Sequence, residues 1–199
     1  MKKIILLSSA FFCVLFSFAQ RRYGTRSQSY GTQAELGLKA GVNLANVSDN
    51  EASSIDSRTG LYIGGLAHIH MSPELALQPE VVYSAQGAQY RGGTSKLDYI
   101  NIPVMLQYMF GTGFRLETGP QLGILTSAKF KNNNGTEDNI KSSIKSTDFS
   151  WGFGASFLTR SGLGIGARYN LGINNIYLNS PYEIKNRVWQ LGLFYQARH

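Results

Sequence analysis

Five charged residues carry the chemistry this chain could do: Lys39, Glu80, Arg115, Glu117 and Arg168. Each sits in a run where apolar and polar residues alternate, and each falls on the polar side. Carboxylates beside cations have two uses. Glu80 and Glu117 could share acid–base work as a catalytic pair. Enclosed in a narrow interior, the same residues must instead pair, because unpaired buried charge is costly. The neighbouring cations favour pairing, so a structural charge network is expected. The functional alternative is a narrow channel whose selectivity these charges set.

Other candidates are weaker. His68 and His70 stand at i, i+2 on one strand face, but no third metal ligand is visible beside them. Asp49, Asp56, Asp98, Asp138 and Asp148 lie in or beside long connections, where a rim enzyme would keep its acid. None of the three histidines is there, since His199 is the last residue. No Ser-His-Asp arrangement is supported, and GxGxxG, P-loop and HExxH motifs do not occur. The expectation is therefore no catalytic residue, no cofactor and no metal.

The elements that must position these residues are strands. "LYIGGLAHI" (61–69), "VMLQYMF" (104–110), "SWGFGASFL" (150–158), "GLGIGARYNLGI" (162–173) and "WQLGLFY" (189–195) alternate with period two. Eight strands are predicted, near 35–46, 59–71, 74–86, 98–110, 113–128, 148–160, 162–174 and 187–197. Tight turns at 71–74, 110–114 and 160–163 alternate with long loops at 47–58, 87–97, 129–147 and 175–186. That alternation is the pattern of an outer-membrane barrel with short periplasmic turns, long outer loops and both termini periplasmic.

One strand face is apolar; the other carries the charged five, several Asn and Gln, and many glycines. Gly weakens a water-facing strand but suits the crowded interior of a small barrel. Aromatic residues gather near strand ends: Tyr108 and Tyr195 toward the short turns, Tyr83, Trp151 and Trp189 toward the long loops. Two such girdles mark membrane interfaces. Pro79, Pro103 and Pro120 fall inside predicted strands, where local bulges are expected to accommodate them.

Composition bounds the rest. "MKKIILLSSAFFCVLFSFAQ" reads as a signal peptide, residues 1–19, and the only cysteine, Cys13, lies within it. Residues 20–34 read as a flexible periplasmic lead-in. The formal charge is +7, and removing Lys2 and Lys3 leaves +5. This mild excess suits a Gram-negative envelope. It is no nucleic-acid signature, for no basic stripe with interleaved aromatics appears.

"LALQPEVVYSAQGAQY" (75–90), "LDYINIPVMLQYMF" (97–110) and "RLETGPQLGIL" (115–125) resemble, in order, the signatures of the PorT-like outer-membrane barrels of Bacteroidetes. "LGLKAGVNLANV" (36–47) and "VWQLGLFYQ" (188–196) are similar to the first and last strands of that family. The resemblance implies an OmpA- or OmpX-like barrel, whose namesake assists type IX secretion and gliding. The chain departs from outer-membrane barrels in ending on "QARH" rather than an aromatic residue.

The expected fold is all-β, an eight-stranded antiparallel transmembrane up-and-down barrel over 35–199. The expected role is structural or interactive, integral to the outer membrane and without catalysis. Its partners would be outer-membrane lipid and envelope or secretion-machinery proteins, with no nucleic acid. Secretion accessory and narrow channel stand as alternatives.

Overall fold

Period-two patterning gives long strands, and the computed structural model describes them over residues 34–48, 56–178 and 184–197. The expected signal peptide, and the lead-in up to its last residue, lie outside the described residues. The strands are β1 (Ala34–Ser48), β2 (Asp56–His70), β3 (Leu75–Tyr90), β4 (Gly93–Met109), β5 (Phe114–Asn132), β6 (Glu137–Asn139), β7 (Thr147–Leu158), β8 (Leu163–Gly172) and β9 (Lys185–Gln196). Hydrogen bonding runs β4-β3-β2-β1-β9-β8-β7-β5, and β4 also pairs with β5. The sheet is thus a closed eight-stranded ring, in which each described strand pair is antiparallel. Closure leaves no free edge in the ring. Short β6 adds to β5 above it, Lys129 opposite Asn139 and Lys131 opposite Glu137.

Tight turns join the staves at one end. Gly113 and Gly162 close two of them with φ of +93° and +86°, a region that penalises any side chain. The first and last staves meet at this same end, where Gln196 pairs with Gly37. At the other end the strands are uneven. Residues 87–97, expected to be a long loop, instead extend β3 and β4 and turn on Arg91 and Gly92 alone. Glycines at 87, 92 and 93 imitate a loop in sequence. In the structure they serve a tall hairpin, in which Gly87 sits so close to Ser95 that a Cβ would overlap its carbonyl oxygen. β2 and β5 rise with them, Asp56 opposite Gln89 and Asn132 opposite Gly93, so four tall staves stand above the rest.

The prolines are accommodated differently from the expectation. No register shift occurs beside them: the β3–β4 ladder runs to Pro79↔Val104 and resumes at Val82↔Asn101 in the same register. The β4–β5 ladder likewise lapses between Pro103↔Gln121 and Leu106↔Thr118. A missing N–H costs local bonds, but the flanking ladder holds alignment. The bulges lie elsewhere, between Asp98 and Tyr99 and between Ser57 and Tyr62.

The outer wall is apolar. Leu38, Ile63, Phe153, Ile165, Leu193 and many like them are exposed around the ring. Tyr83, Tyr108, Trp151, Trp189 and Tyr195 are exposed on the same wall. So much contiguous apolar surface on a closed ring is suited to lipid rather than water.

Candidate functional site

Alternate residues of every stave point inward, and there the interior becomes polar. Asn43, Gln78, Glu80, Asn101, Gln107, Gln121, Arg168, Asn170 and Gln190 are all buried. At mid-height four charges meet. Glu80 accepts from Lys39 Nζ at 2.9 Å and from Arg168 Nη1 and Nη2 at 2.9 and 2.7 Å. Arg168 Nε donates to Glu117 Oε1 at 2.6 Å. Two amides complete the shell: Gln78 donates to Glu80 and Gln107 to Glu117, each at 2.8 Å. Two cations thus face two carboxylates, with the Arg168 guanidinium as the fork between them. Its planar set of donors is what makes the double contact possible.

Small residues opposite make room. A Cβ on Gly154 would lie 2.7 Å from Glu117 Oε1, and one on Gly192 would overlap the Tyr62 hydroxyl. Each lumen glycine of this kind is the space a long neighbour fills. Tyr62 in turn lies beneath Lys39, 5.7 Å from ring centroid to Nζ.

Arg115 binds nearer the short turns. Its Nη1 donates to Gln196 Oε1 at 2.8 Å, and Gln196 donates to Glu35. His68 and His70 are edge to face, with ring centroids 4.6 Å apart, and His68 is wholly buried. Among the described residues no group of three or more His, Cys, Asp or Glu is placed to hold a metal.

Above the charges runs a chain of amides and hydroxyls. Gln190 donates to Asn43, Asn43 to Ser84, and Gln86 to Ser84. Asn186 then donates to Gln86 and, at 3.3 Å, to Asp148. Of the other acids named for a rim enzyme, Asp56 pairs in the ladder with Gln89, the carbonyl of Asp98 accepts from Thr126, and Asp138 accepts from Asn132. Asp49 and His199 lie outside the described residues.

Three features escaped the sequence reading. Tyr62 and Leu66 point inward among polar residues, and Phe194 fills the space above Gly164. The third is an apolar cluster closing the long-loop end: Val47, Leu97, Tyr99, Leu125, Ile144 and Ile176 are buried together. Ile144 pairs with Tyr177, and Lys145 N donates to the Ile176 carbonyl at 2.8 Å, so two connections fold over the mouth as one piece. Their isolated isoleucines in polar loops are the only signal that could have shown this. What remains open around the charges is about 30 Å³, lined by Lys39, Tyr62, Glu117, Arg168 and Gln190 among others. That is room for one or two waters.

A family model described as outer membrane protein beta-barrel domain matches residues 18–178. No curated protein matches the chain. Among solved structures, the fold is similar to the attachment invasion locus protein Ail of Yersinia pestis, with TM-score 0.54 and 16% identity over 83% of this chain and 99% of that one. Ail in complex with the heparin analogue sucrose octasulfate gives 0.53, at 16% identity over 83% and 99%. Neisserial surface protein A gives 0.53, at 16% identity over 84% of this chain and 99% of that one.

Proposed function

Because the chain belongs to the outer membrane protein beta-barrel domain family, we propose that this integral outer-membrane barrel is a closed scaffold for envelope interactions, neither pore nor enzyme. One observation carries the reading: the lumen is filled, by paired charges at mid-height and by the apolar cluster at the long-loop end. Eight staves leave an interior only wide enough for side chains. Both carboxylates that could do acid–base work are held by Arg168 and by amide donors, buried from any substrate. The network Lys39, Glu80, Glu117 and Arg168 acts as internal packing, with Arg115 tying the lower rim. Tyr83, Tyr108, Trp151, Trp189 and Tyr195 act as interface anchors.

On this reading residues 1–19 direct export, 20–34 lead into the barrel, and 35–199 form it. The short-turn end and both chain ends face the periplasm; the tall hairpin faces outward. Display of an outer end is in keeping with Ail, named for attachment and invasion and crystallised with a heparin analogue. The test is conductance in planar bilayers. The purified protein is expected to give no unitary currents, and Glu117→Gln none either. Steady unitary currents that change with Glu117→Gln or Arg168→Gln would replace this reading with a channel.

The ordered Pro-bearing motifs of β3, β4 and β5 favour a second reading, an accessory of type IX secretion and gliding of the PorT kind. Deletion would then abolish export of type IX cargo. Normal export in the deletion strain excludes it.

A further inference from the structure

Outward-facing positions of β4 and β5 do not stay apolar. Above Ile100 and Ile124, on the same wall and beyond the bulge at Asp98 and Tyr99, come Lys96 on β4 and Lys129 and Lys131 on β5. Lys96 and Lys129 face each other in the ladder, with side chains 34% and 51% exposed. Lys141 joins below them, its Nζ donating to the Thr126 carbonyl at 2.8 Å. Opposing acid is sparse: Glu137 accepts from Lys96 at 2.6 Å and lies 3.5 Å from Lys129, and Asp98 stands one step lower on β4. Four cations therefore share a patch with two carboxylates.

The rest of this rim differs. Among the described residues, Thr147 of β7 is level with Ile124 at the top of the apolar belt, and the outward face of β9 carries Arg187 and Lys185 there. Lys96, Lys129 and Lys131 stand higher, on the tall staves.

We propose that this lysine ladder binds phosphorylated headgroups of glycolipid in the surrounding leaflet. Position selects lipid over a soluble polyanion. The ladder continues the lipid-facing wall upward, starting where the apolar belt stops, at the height a headgroup occupies beside a barrel. A soluble ligand approaching the mouth meets the covering loops first. Exposed Lys on a flexible stem suits a phosphate that presents no fixed geometry. The inference rests on the reading that the long-loop end faces out of the cell.

The test uses the protein purified from outer membranes and placed in phosphatidylcholine vesicles with or without diphosphorylated lipid A. The wild-type protein should show a higher unfolding midpoint with lipid A, and the gain should shrink in high salt. Lys96→Gln/Lys129→Gln/Lys131→Gln should weaken apparent lipid A affinity by about tenfold. Glu137→Gln, which removes the competing carboxylate, should strengthen it, whereas a merely structural Glu137 would weaken it or leave it alone. Arg160→Gln, at the opposite rim, should change nothing. Equal response from wild type and the triple variant overturns the inference, as does equal protection by soluble sucrose octasulfate in vesicles lacking lipid A. Orientation is read separately, by a membrane-impermeant amine label on intact cells. Labelling at Lys131 supports the outward reading; labelling only after lysis refutes that reading and, with it, the leaflet assigned here.

Discussion

Arg168 is the residue on which the interior turns. It holds Glu80 with two nitrogens and Glu117 with a third. Removing it leaves two buried carboxylates with Lys39 as the remaining cation of the four. Arg168→Met should therefore destabilise the barrel by about 3–5 kcal/mol, read as the urea midpoint of unfolding from lipid vesicles. Restoring neutrality with Glu117→Gln in the same chain, which leaves Lys39 paired with Glu80, should recover much of the loss. Non-recovery would mean that packing, not charge, is what Arg168 supplies. A second residue-scale test concerns Gly154, where a side chain would meet Glu117 and the Ala167 carbonyl at 2.7 and 2.9 Å. Gly154→Ala should cost about 1–3 kcal/mol in the same assay.

At this scale much was legible. Charge is too rare in period-two strands to be accidental, so Lys39, Glu80, Glu117 and Arg168 announce an enclosed polar face. Which cation meets which carboxylate was not legible, because it depends on shear between strands far apart in sequence. Tyr62, Leu66 and Phe194 were missed for a related reason. Their type matches the lipid side, and only the pleat places them in the lumen.

Elements show where alternation stops being informative. Strand faces follow directly from period two, and tight turns from Pro, Gly and Ser. Strand height does not: residues 87–97 carry loop-like glycines yet form a tall hairpin, since glycine marks both a turn and a close approach of backbones. The loops covering the mouth were equally hidden, as single isoleucines in polar connections have no period. Those loops make a local prediction. Ile176→Asp should expose 140–146 and 175–178 to protease while leaving the unfolding midpoint of the membrane ring nearly unchanged, because the cover can open alone. A matching fall in the midpoint would show that cover and ring unfold together. Short β6 adds a pH effect. Lys96 hydrogen bonding, then its charge, with Lys129 beyond, hold the exposed Glu137 carboxyl below its ordinary 4.5. A lowered folded pKa means the pairing is complete above the ordinary value and fades as pH falls through the lowered one. Amide-exchange protection at β6 should decline over that acid range and be insensitive to pH in Glu137→Gln.

For the whole molecule the question is which solvent the wall faces, and a substitution can ask it by depth. Leu191 and Tyr195 lie on the same outer face of β9, exposed to 44% and 52%. Leu191 is midway along the belt, opposite Val42 of β1 and Ala167 of β8. Tyr195 is at the short-turn rim, opposite Leu38 and Leu163. In water the two sites are equivalent, and an arginine at either should be nearly neutral. In a bilayer they differ: arginine near the midplane costs about 2–4 kcal/mol and close to the interface about 0–1. Leu191→Arg should therefore lower the unfolding midpoint in lipid vesicles far more than Tyr195→Arg. Gln190, one residue away, points into the lumen and donates to Asn43 at 3.1 Å. Gln190→Ala should respond to loss of that bond whatever surrounds the barrel, and so separates general damage from lipid contact. Equal, small effects of the two arginines would mean that the belt does not face lipid at these depths. The graded result ties period-two alternation in the sequence to the thickness of the membrane it crosses.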